Sequence, residues 1–340
     1  MKSIKIAGMA ALVAVASTTG AFAQAKTLEA IKARGTLACG VGPNAPGFSN
    51  PDDKGNWVGF DVDFCRALAV AIFNDPAKVT FKALTSKERF TALQSGEVDL
   101  LSRTTTWTMS RDSSMGLSFA GIMFYDGQGF MVKKSLGVKT AKELNGASIC
   151  LQTGTTTELN VADFFRANKI TYKPVLFEKD DEVVAAYDGG RCDAITNDRS
   201  GLASSQGKLK APAESVLLPD IISKEPLGPV VRQGDSQFFT VTKWVYYALL
   251  NLEEAGITSA NADEMAKSTN PDVKRLLGSE GEFGKGIGVN GDWALQIAKK
   301  VGNYAEIYER NFGPKSNVVI TRGSNELWSK GGLQYAPPIR

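Results

Sequence analysis

Apolar and polar positions along the chain alternate between two spacings. Residues 36–41 read as a strand. In residues 59–73, Phe60, Phe64, Ala67, Leu68, Ala71 and Ile72 fall at i, i+4, i+7, i+8, i+11 and i+12, a single apolar stripe on a helix. Residues 79–84 return to strand spacing. Thr85-Ser86-Lys87-Glu88 matches a capping box and Gly96 is a stop signal, which predicts a short helix over 86–95. Residues 98–101 form a third strand. The order then repeats: strand 147–152, a second capping-box match at Thr155–Glu158 opening a helix to about Asn168, strand 172–177, helix 180–187 ended by Gly189-Gly190, and strand 192–196. Two β-α-β-α-β runs predict an α/β protein with two mostly parallel sheets, each flanked by helices on both faces.

Two punctuated segments separate these runs. Tyr125-Asp126-Gly127-Gln128-Gly129 is rich in Gly, and Pro226-Leu227-Gly228-Pro229 precedes the strand-like Val230-Val231-Arg232. Two joints mean that the chain leaves the first lobe and returns to it, which makes a two-strand hinge with a cleft. The expected division is lobe 1 from 24–126 plus 230–340 and lobe 2 from 127–229. A strong helix is predicted over 236–255 and a single helix over 292–311, the latter inside a C-terminal extension assigned to lobe 1. Residues 1–23 have a different character. Lys2 and Lys5, an apolar run from Ile6 to Ala16 and Ala21-Phe22-Ala23 follow one another as the parts of a secretory signal peptide, with maturation expected near Gln24. The apolar run is too short to span a bilayer.

Composition narrows the chemistry. About 317 residues follow the leader, more than one core usually serves, which agrees with two lobes. Setting aside Lys2 and Lys5 leaves 37 basic residues against 36 acidic ones, so the exported chain is almost neutral. Nucleic acid and anionic membrane are therefore not its expected partners, and a monomer is expected. The sequence contains no His, which excludes Ser-His-Asp and Cys-His catalysis and removes the commonest metal ligand. Cys39, Cys65, Cys150 and Cys192 are widely spaced, so neither a metal site nor a cofactor is expected. In an oxidising compartment an even count favours disulfides over buried free thiols. Cys39 lies on the first strand and Cys65 on the helix over it, while Cys150 and Cys192 lie on strands of one lobe-2 sheet. The expected pairs are Cys39–Cys65 and Cys150–Cys192.

Three segments follow strand ends at the expected cleft, where open α/β sheets bind ligands. They are Ser102–Thr108 with Arg111 beyond it, Gln152–Thr157 ahead of a helix, and Asn197-Asp198-Arg199. A zwitterionic amino acid needs a forked cation and an anion. Arg111 supplies the first, helped by N–H groups at the helix start around Thr155 and Thr156, and Asp198 supplies the second. Singly, each has an ordinary structural explanation: Thr runs make turns, Arg makes surface pairs, Asp caps helices. Their joint placement is the signal. Gly286-Ile287-Gly288-Val289-Asn290-Gly291 matches a dinucleotide fingerprint but follows no buried strand. Trp244, Tyr246 and Tyr247 are expected in a core.

From about Leu28 to Ala255 the chain resembles the periplasmic binding proteins of polar-amino-acid ABC transporters, solute-binding protein family 3. The resemblance rests on Gly59-Phe60-Asp61-Val62-Asp63, Leu93–Asp99, Gly154-Thr155-Thr156 and Gly190–Ala194, in that order. The branch it is most similar to is that of general L-amino acid-binding proteins, through Arg103–Trp107 and the tail Gly331–Pro338. The resemblance implies a type II two-lobed fold, an L-amino acid ligand and delivery to membrane permease subunits. It also implies that Arg111 grips the α-carboxylate with the backbone of Thr106 and Thr156. Asp198 takes the α-ammonium with Thr104 and Thr106, and Arg89 and Arg103 bias the side-chain end. Val41 and Asn44 stand where lysine/histidine-binding relatives place an acidic and an aromatic residue, so a purely cationic ligand is not expected. Asn44 counts as a cleft residue. The rival reading is an enzyme on the same fold, a cyclohexadienyl or arogenate dehydratase using Glu158 or Asp198 as general acid. The zwitterion pair favours binding without catalysis, in the periplasm.

Overall fold

The computed structural model describes residues 27–340; the expected signal peptide lies outside the described residues. Two five-stranded sheets share one plan. In the first, the order is Val79–Ala83, Leu37–Val41, Leu100–Leu101, Val230–Arg232, Leu117–Phe119. The first three run parallel, and Val230–Arg232 is antiparallel to both neighbours. In the second, the order is Lys173–Phe177, Ser148–Gln152, Ala194–Asp198, Gln128–Lys133, Ser215–Leu217, and Gln128–Lys133 is again the one strand antiparallel to both neighbours, the other four sharing a direction. In each sheet the fourth strand is the one that arrives through the joint.

The repeat extends to its clips. Asp99, just before the third strand of sheet 1, accepts from Ala38 N–H (2.8 Å), and its own N–H donates to the Ala38 carbonyl (2.8 Å). Asp193, before the third strand of sheet 2, does the same with Ser148 (2.7 and 2.9 Å). These two Asp belong to the Leu93–Asp99 and Gly190–Ala194 stretches, which has a physical reason: a short acceptor there fixes the strand register.

Apolar cores fill both faces of both sheets. The helix Phe60–Phe73 packs its stripe into the largest core with Leu37, Cys39 and Val41, while Phe90, Leu93, Leu101 and Phe119 cover the other face of sheet 1. Sheet 2 buries Phe130, Leu151, Val161 and Phe165 on one face and Met131, Val183, Tyr187 and Ile195 on the other. Disulfides join Cys39 to Cys65 and Cys150 to Cys192, with Cα separations of 6.4 and 5.7 Å, each within one lobe.

Two helix predictions need correction. Thr85 and Glu88 make the reciprocal capping bonds, yet the helix begins only at Arg89 and runs to Gln94. The helix predicted over 292–311 is two helices, Trp293–Lys300 and Tyr304–Phe312. Gly302 takes φ 95°, and Asn303 and Glu306 form a capping box that starts the second helix. The apolar period continues across the break, which is why the pattern read as continuous. Trp293, Ile297, Tyr304, Tyr308 and Phe312 all enter the first-lobe core. The glycine-rich 286–291 segment ends the short helix Phe283–Ile287 and follows no strand.

The chain crosses between sheets on Phe124–Asp126 and returns on Glu225–Leu227. These pair antiparallel, Asp126 opposite Glu225 and Leu227 opposite Phe124. Gly228 permits the crossing, since a Cβ there would lie 1.9 Å from the Gly121 carbonyl oxygen. The tail buttresses this hinge. Asn325 Oδ1 accepts from Tyr125 N–H (2.6 Å), its Nδ2 donates to the Tyr125 carbonyl (3.1 Å), and Gln334 Nε2 donates to the Met123 carbonyl (3.1 Å).

Candidate functional site

Between the sheets lies a cavity of about 190 Å³. Of the nine binding residues expected from the sequence, Asn44, Arg89, Arg103, Thr104, Thr106, Thr155, Thr156 and Asp198 line it; Arg111 does not.

Lobe 1 contributes the loop after Leu100–Leu101. Thr104 takes φ 39°, a left-handed conformation that a β-branched residue rarely adopts. Asp61 holds it there. Its Oδ2 accepts from Thr104 N–H and its Oδ1 from Ser102 Oγ, both at 3.0 Å, and burial pushes its carboxyl up to about 6. Thr106 is carried next to the returning hinge strand, where Trp107 N–H donates to the Pro226 carbonyl at 2.8 Å. Arg111 sits behind Thr106, one short helical turn on, with Thr108 capping that helix. Its Nη1 donates to the Thr106 carbonyl (2.8 Å), and its guanidinium lies 5.1 Å from the Phe90 ring centroid.

The three arginines differ in satisfaction. Arg103 donates to the Leu84 carbonyl and to Ser86 Oγ, both at 2.9 Å. Burial lowers it to about 10 although Asp61 and Asp180 oppose the shift. Arg89 is 3% exposed, lies 4.7 Å from the centroid of Phe90, and its Nε has no hydrogen-bond partner. Burial, then Arg103 and Arg111, lower its pKa well below the usual range, with Asp198 opposing. A buried cation with an unpaired N–H is the chemistry of an anion site.

Lobe 2 supplies the opposite charge and a helix start. Thr155 caps the helix Thr156–Ala167: its Oγ1 accepts from Glu158 N–H (3.2 Å) and donates to the Gln152 carbonyl (2.7 Å). Glu158 reaches past the cap to Gly154 N–H (3.0 Å), so only half of the predicted capping box forms. Thr155 therefore orders the turn, while the first-turn N–H groups behind Thr156 face the cleft end of the helix. Asp198 occupies the N-cap position of Arg199–Gln206 but makes no side-chain cap bond. Its carboxyl is raised well above the ordinary value by burial first, then by Asp126 and Glu225, against Arg89 and Arg111.

The lobes touch through polar bonds. Asn44 Nδ2 donates to both Asp181 oxygens (3.1 and 3.0 Å), and Lys208 Nζ donates to the Asn44 carbonyl (2.8 Å). Ser86 Oγ donates to Gln152 Oε1 (3.0 Å) and Ser204 Oγ to the Pro46 carbonyl (2.7 Å). Asn44 is thus engaged by the other lobe across the mouth of the cleft.

Sequence reasoning missed Asp126 and Glu225. They sit inside or beside the joints, where the sequence signal was Gly and Pro. Only the pairing of the two crossovers makes them neighbours. Among the described residues no group of His, Cys, Asp and Glu could hold a metal ion, and no helix is long and apolar enough to cross a membrane.

Two lobes, a paired hinge and a cleft lined by unpaired charges of both signs define a solute-capturing protein. The chain belongs to the bacterial extracellular solute-binding proteins, family 3, whose model matches residues 37–275. It is 57% identical over 329 residues, 96% of each chain, to the general L-amino acid-binding periplasmic protein AapJ of Rhizobium johnstonii. It is 53% identical, over 96% of this chain and 97% of the relative, to the glutamate/glutamine/aspartate/asparagine-binding protein BztA of Rhodobacter capsulatus. A solved periplasmic binding protein of an ABC transporter from Brucella ovis, with glutathione bound, superposes with TM-score 0.91 at 58% identity. That match covers 93% of this chain and all of that one. Membership places the chain outside the cytoplasm and with solute uptake.

Proposed function

We propose that the protein captures L-amino acids with polar and acidic side chains in the inter-lobe cleft and delivers them to the permease subunits of an ABC importer, without catalysing a reaction. The observation that carries this is Arg89, buried at the cavity wall with an unpaired Nε, in the same cavity as Asp198, whose raised carboxyl makes no helix-cap bond. A zwitterion carrying a second carboxylate would satisfy both groups at once. In this reading Asp198 with Thr104 and Thr106 takes the ammonium. The helix start at Thr156 takes the α-carboxylate together with Arg111, which here lies one layer back on the Thr106 carbonyl and has to advance into the cavity to reach it, and Arg89 and Arg103 bias the side-chain end. The names of AapJ and BztA support the ligand class. The segments 24–126 plus 230–340 and 127–229 move as the two lobes.

A thermal-shift screen against the twenty L-amino acids tests the reading, because ligand at 100 times its dissociation constant stabilises by about 2.7 kcal/mol. Acidic and amide amino acids are expected to raise Tm most, and a screen with no response refutes the ligand class. Glutathione belongs in the same screen: its γ-glutamyl end keeps a free α-amino acid, and the Brucella ovis neighbour holds it. Incubation with arogenate is expected to yield no phenylalanine; turnover would establish the dehydratase reading. Ligand is expected to make the protein more compact by small-angle scattering, and identical curves with and without saturating glutamate would refute hinge closure.

A further inference from the structure

Glu225 is 1% exposed on the returning hinge strand and lies in none of the segments that the ligand chemistry pointed to. Its carboxylate gathers four donors from three places. Oε2 accepts from Thr106 Oγ1 of lobe 1 at 2.6 Å and from Thr156 Oγ1 of lobe 2 at 2.9 Å. Oε1 accepts from Asn160 Nδ2 at 2.7 Å and from Ser223 Oγ at 2.6 Å. A carboxylate has room for all four.

Each Thr hydroxyl carries a single proton. The bonds to Oε2 are shorter than the 3.3 Å between the two hydroxyl oxygens, so both protons are directed to Glu225. Thr106 and Thr156 can then only accept from anything in the cavity they line. Asp198 lines the same cavity as Thr106 and Thr156, and the Asp126 and Glu225 carboxylates raise its carboxyl. We infer that Glu225 is the positioning residue of the ammonium subsite. It turns the Thr106 and Thr156 hydroxyls, one from each lobe, into acceptors, so that an α-ammonium is read only when both lobes are in place. This rests on the amino-acid reading above and assigns Thr156 Oγ1 to the ammonium, leaving only its backbone N–H for the carboxylate.

Glu225→Gln keeps the shape but offers one acceptor oxygen and a donor in place of two acceptors. Titration calorimetry on the full exported protein compares L-glutamate with L-2-hydroxyglutarate, and L-alanine with L-lactate, the hydroxy acids by displacement. The variant is expected to weaken the amino acids tenfold or more and the hydroxy acids less than threefold. A merely structural role would weaken both members of a pair alike, and that result, or no loss at all, overturns the inference. Thr156→Val is expected to show the same selective loss, and to cost less than twofold further in the Glu225→Gln background. Additive losses overturn the coupling. Should Glu225→Gln fail to fold, Thr156→Val alone decides, because equal losses for ammonium and hydroxyl ligands remove the acceptor assignment. Wild-type protein that binds no amino acid refutes the reading on which this rests before any variant is made.

Discussion

Replacing Arg89 by Met separates binding from folding. The side chain is buried, stacks 4.7 Å from the centroid of Phe90, and leaves Nε unpaired. In the ligand-free protein, two effects of the substitution oppose each other. An unsatisfied buried donor costs about 1–3 kcal/mol, which Met removes. The cation–π contact contributes about 0.5–2 kcal/mol, which Met loses. Met also keeps most of the stem's volume. The sum is near zero, so ligand-free Tm should move by no more than a few degrees. Binding should not be neutral. Truncating one partner of a desolvated charge pair costs about 2–5 kcal/mol. At 1.4 kcal/mol per tenfold, that is a loss of roughly 30-fold or more for glutamate and aspartate. Glutamine and alanine have no second carboxylate to lose and should change little, and glutamine should gain relative to glutamate. Titration calorimetry with glutamate, glutamine and alanine reads the difference. A variant that loses all three equally would show that Arg89 holds the shared α-amino acid core or the fold, and its side-chain role would have to be abandoned.

Arg111→Ala and Asp198→Ala are expected to weaken every amino acid together, by tens-fold or more, with calorimetry as the check; a loss confined to acidic ligands would reverse their roles with Arg89. For pH, Asp61 and Asp126 titrate near 6 in the folded protein because burial raises them. The folded state then binds protons more tightly than the unfolded one, so their penalty is present above about pH 6 and is relieved as pH falls towards 4. Ligand-free Tm should therefore gain a favourable contribution at pH 5 over pH 7.5, and Asp126→Asn should flatten that difference. Amino-acid affinity should run the other way, falling as pH is lowered and the raised Asp198 carboxyl takes up a proton; a pH-independent dissociation constant would refute Asp198 as the ammonium partner. Reduction of the disulfides, which close loops with sequence separations of 26 and 42, removes roughly 3–4 kcal/mol each on the loop-entropy model and should lower Tm measurably.

The sequence by itself determined the elements and their order. Period-2 and period-3.6 runs located the strands and the long helices, because one-sided burial leaves that imprint on any sheet and helix covering. Strand and helix positions were also enough to choose partners for Cys39 and Cys150, since adjacent strands and the helix over them are near neighbours. It placed Thr104, Thr106, Thr155 and Asp198 at strand ends, which topology alone sends to the cleft. Local pattern failed where its signal was ambiguous. The Trp293–Phe312 stretch kept an apolar period across a break that only Gly302 and the Asn303–Glu306 cap enforce. Tertiary structure decided what each group does. Whether a Thr hydroxyl donates or accepts depends on Glu225, 119 residues from Thr106 in sequence. Whether Arg103 is satisfied and Arg89 is not depends on the Leu84 carbonyl and Ser86. Such facts reside in pairings between distant segments, chiefly of the two crossovers, and no window along the chain carries them.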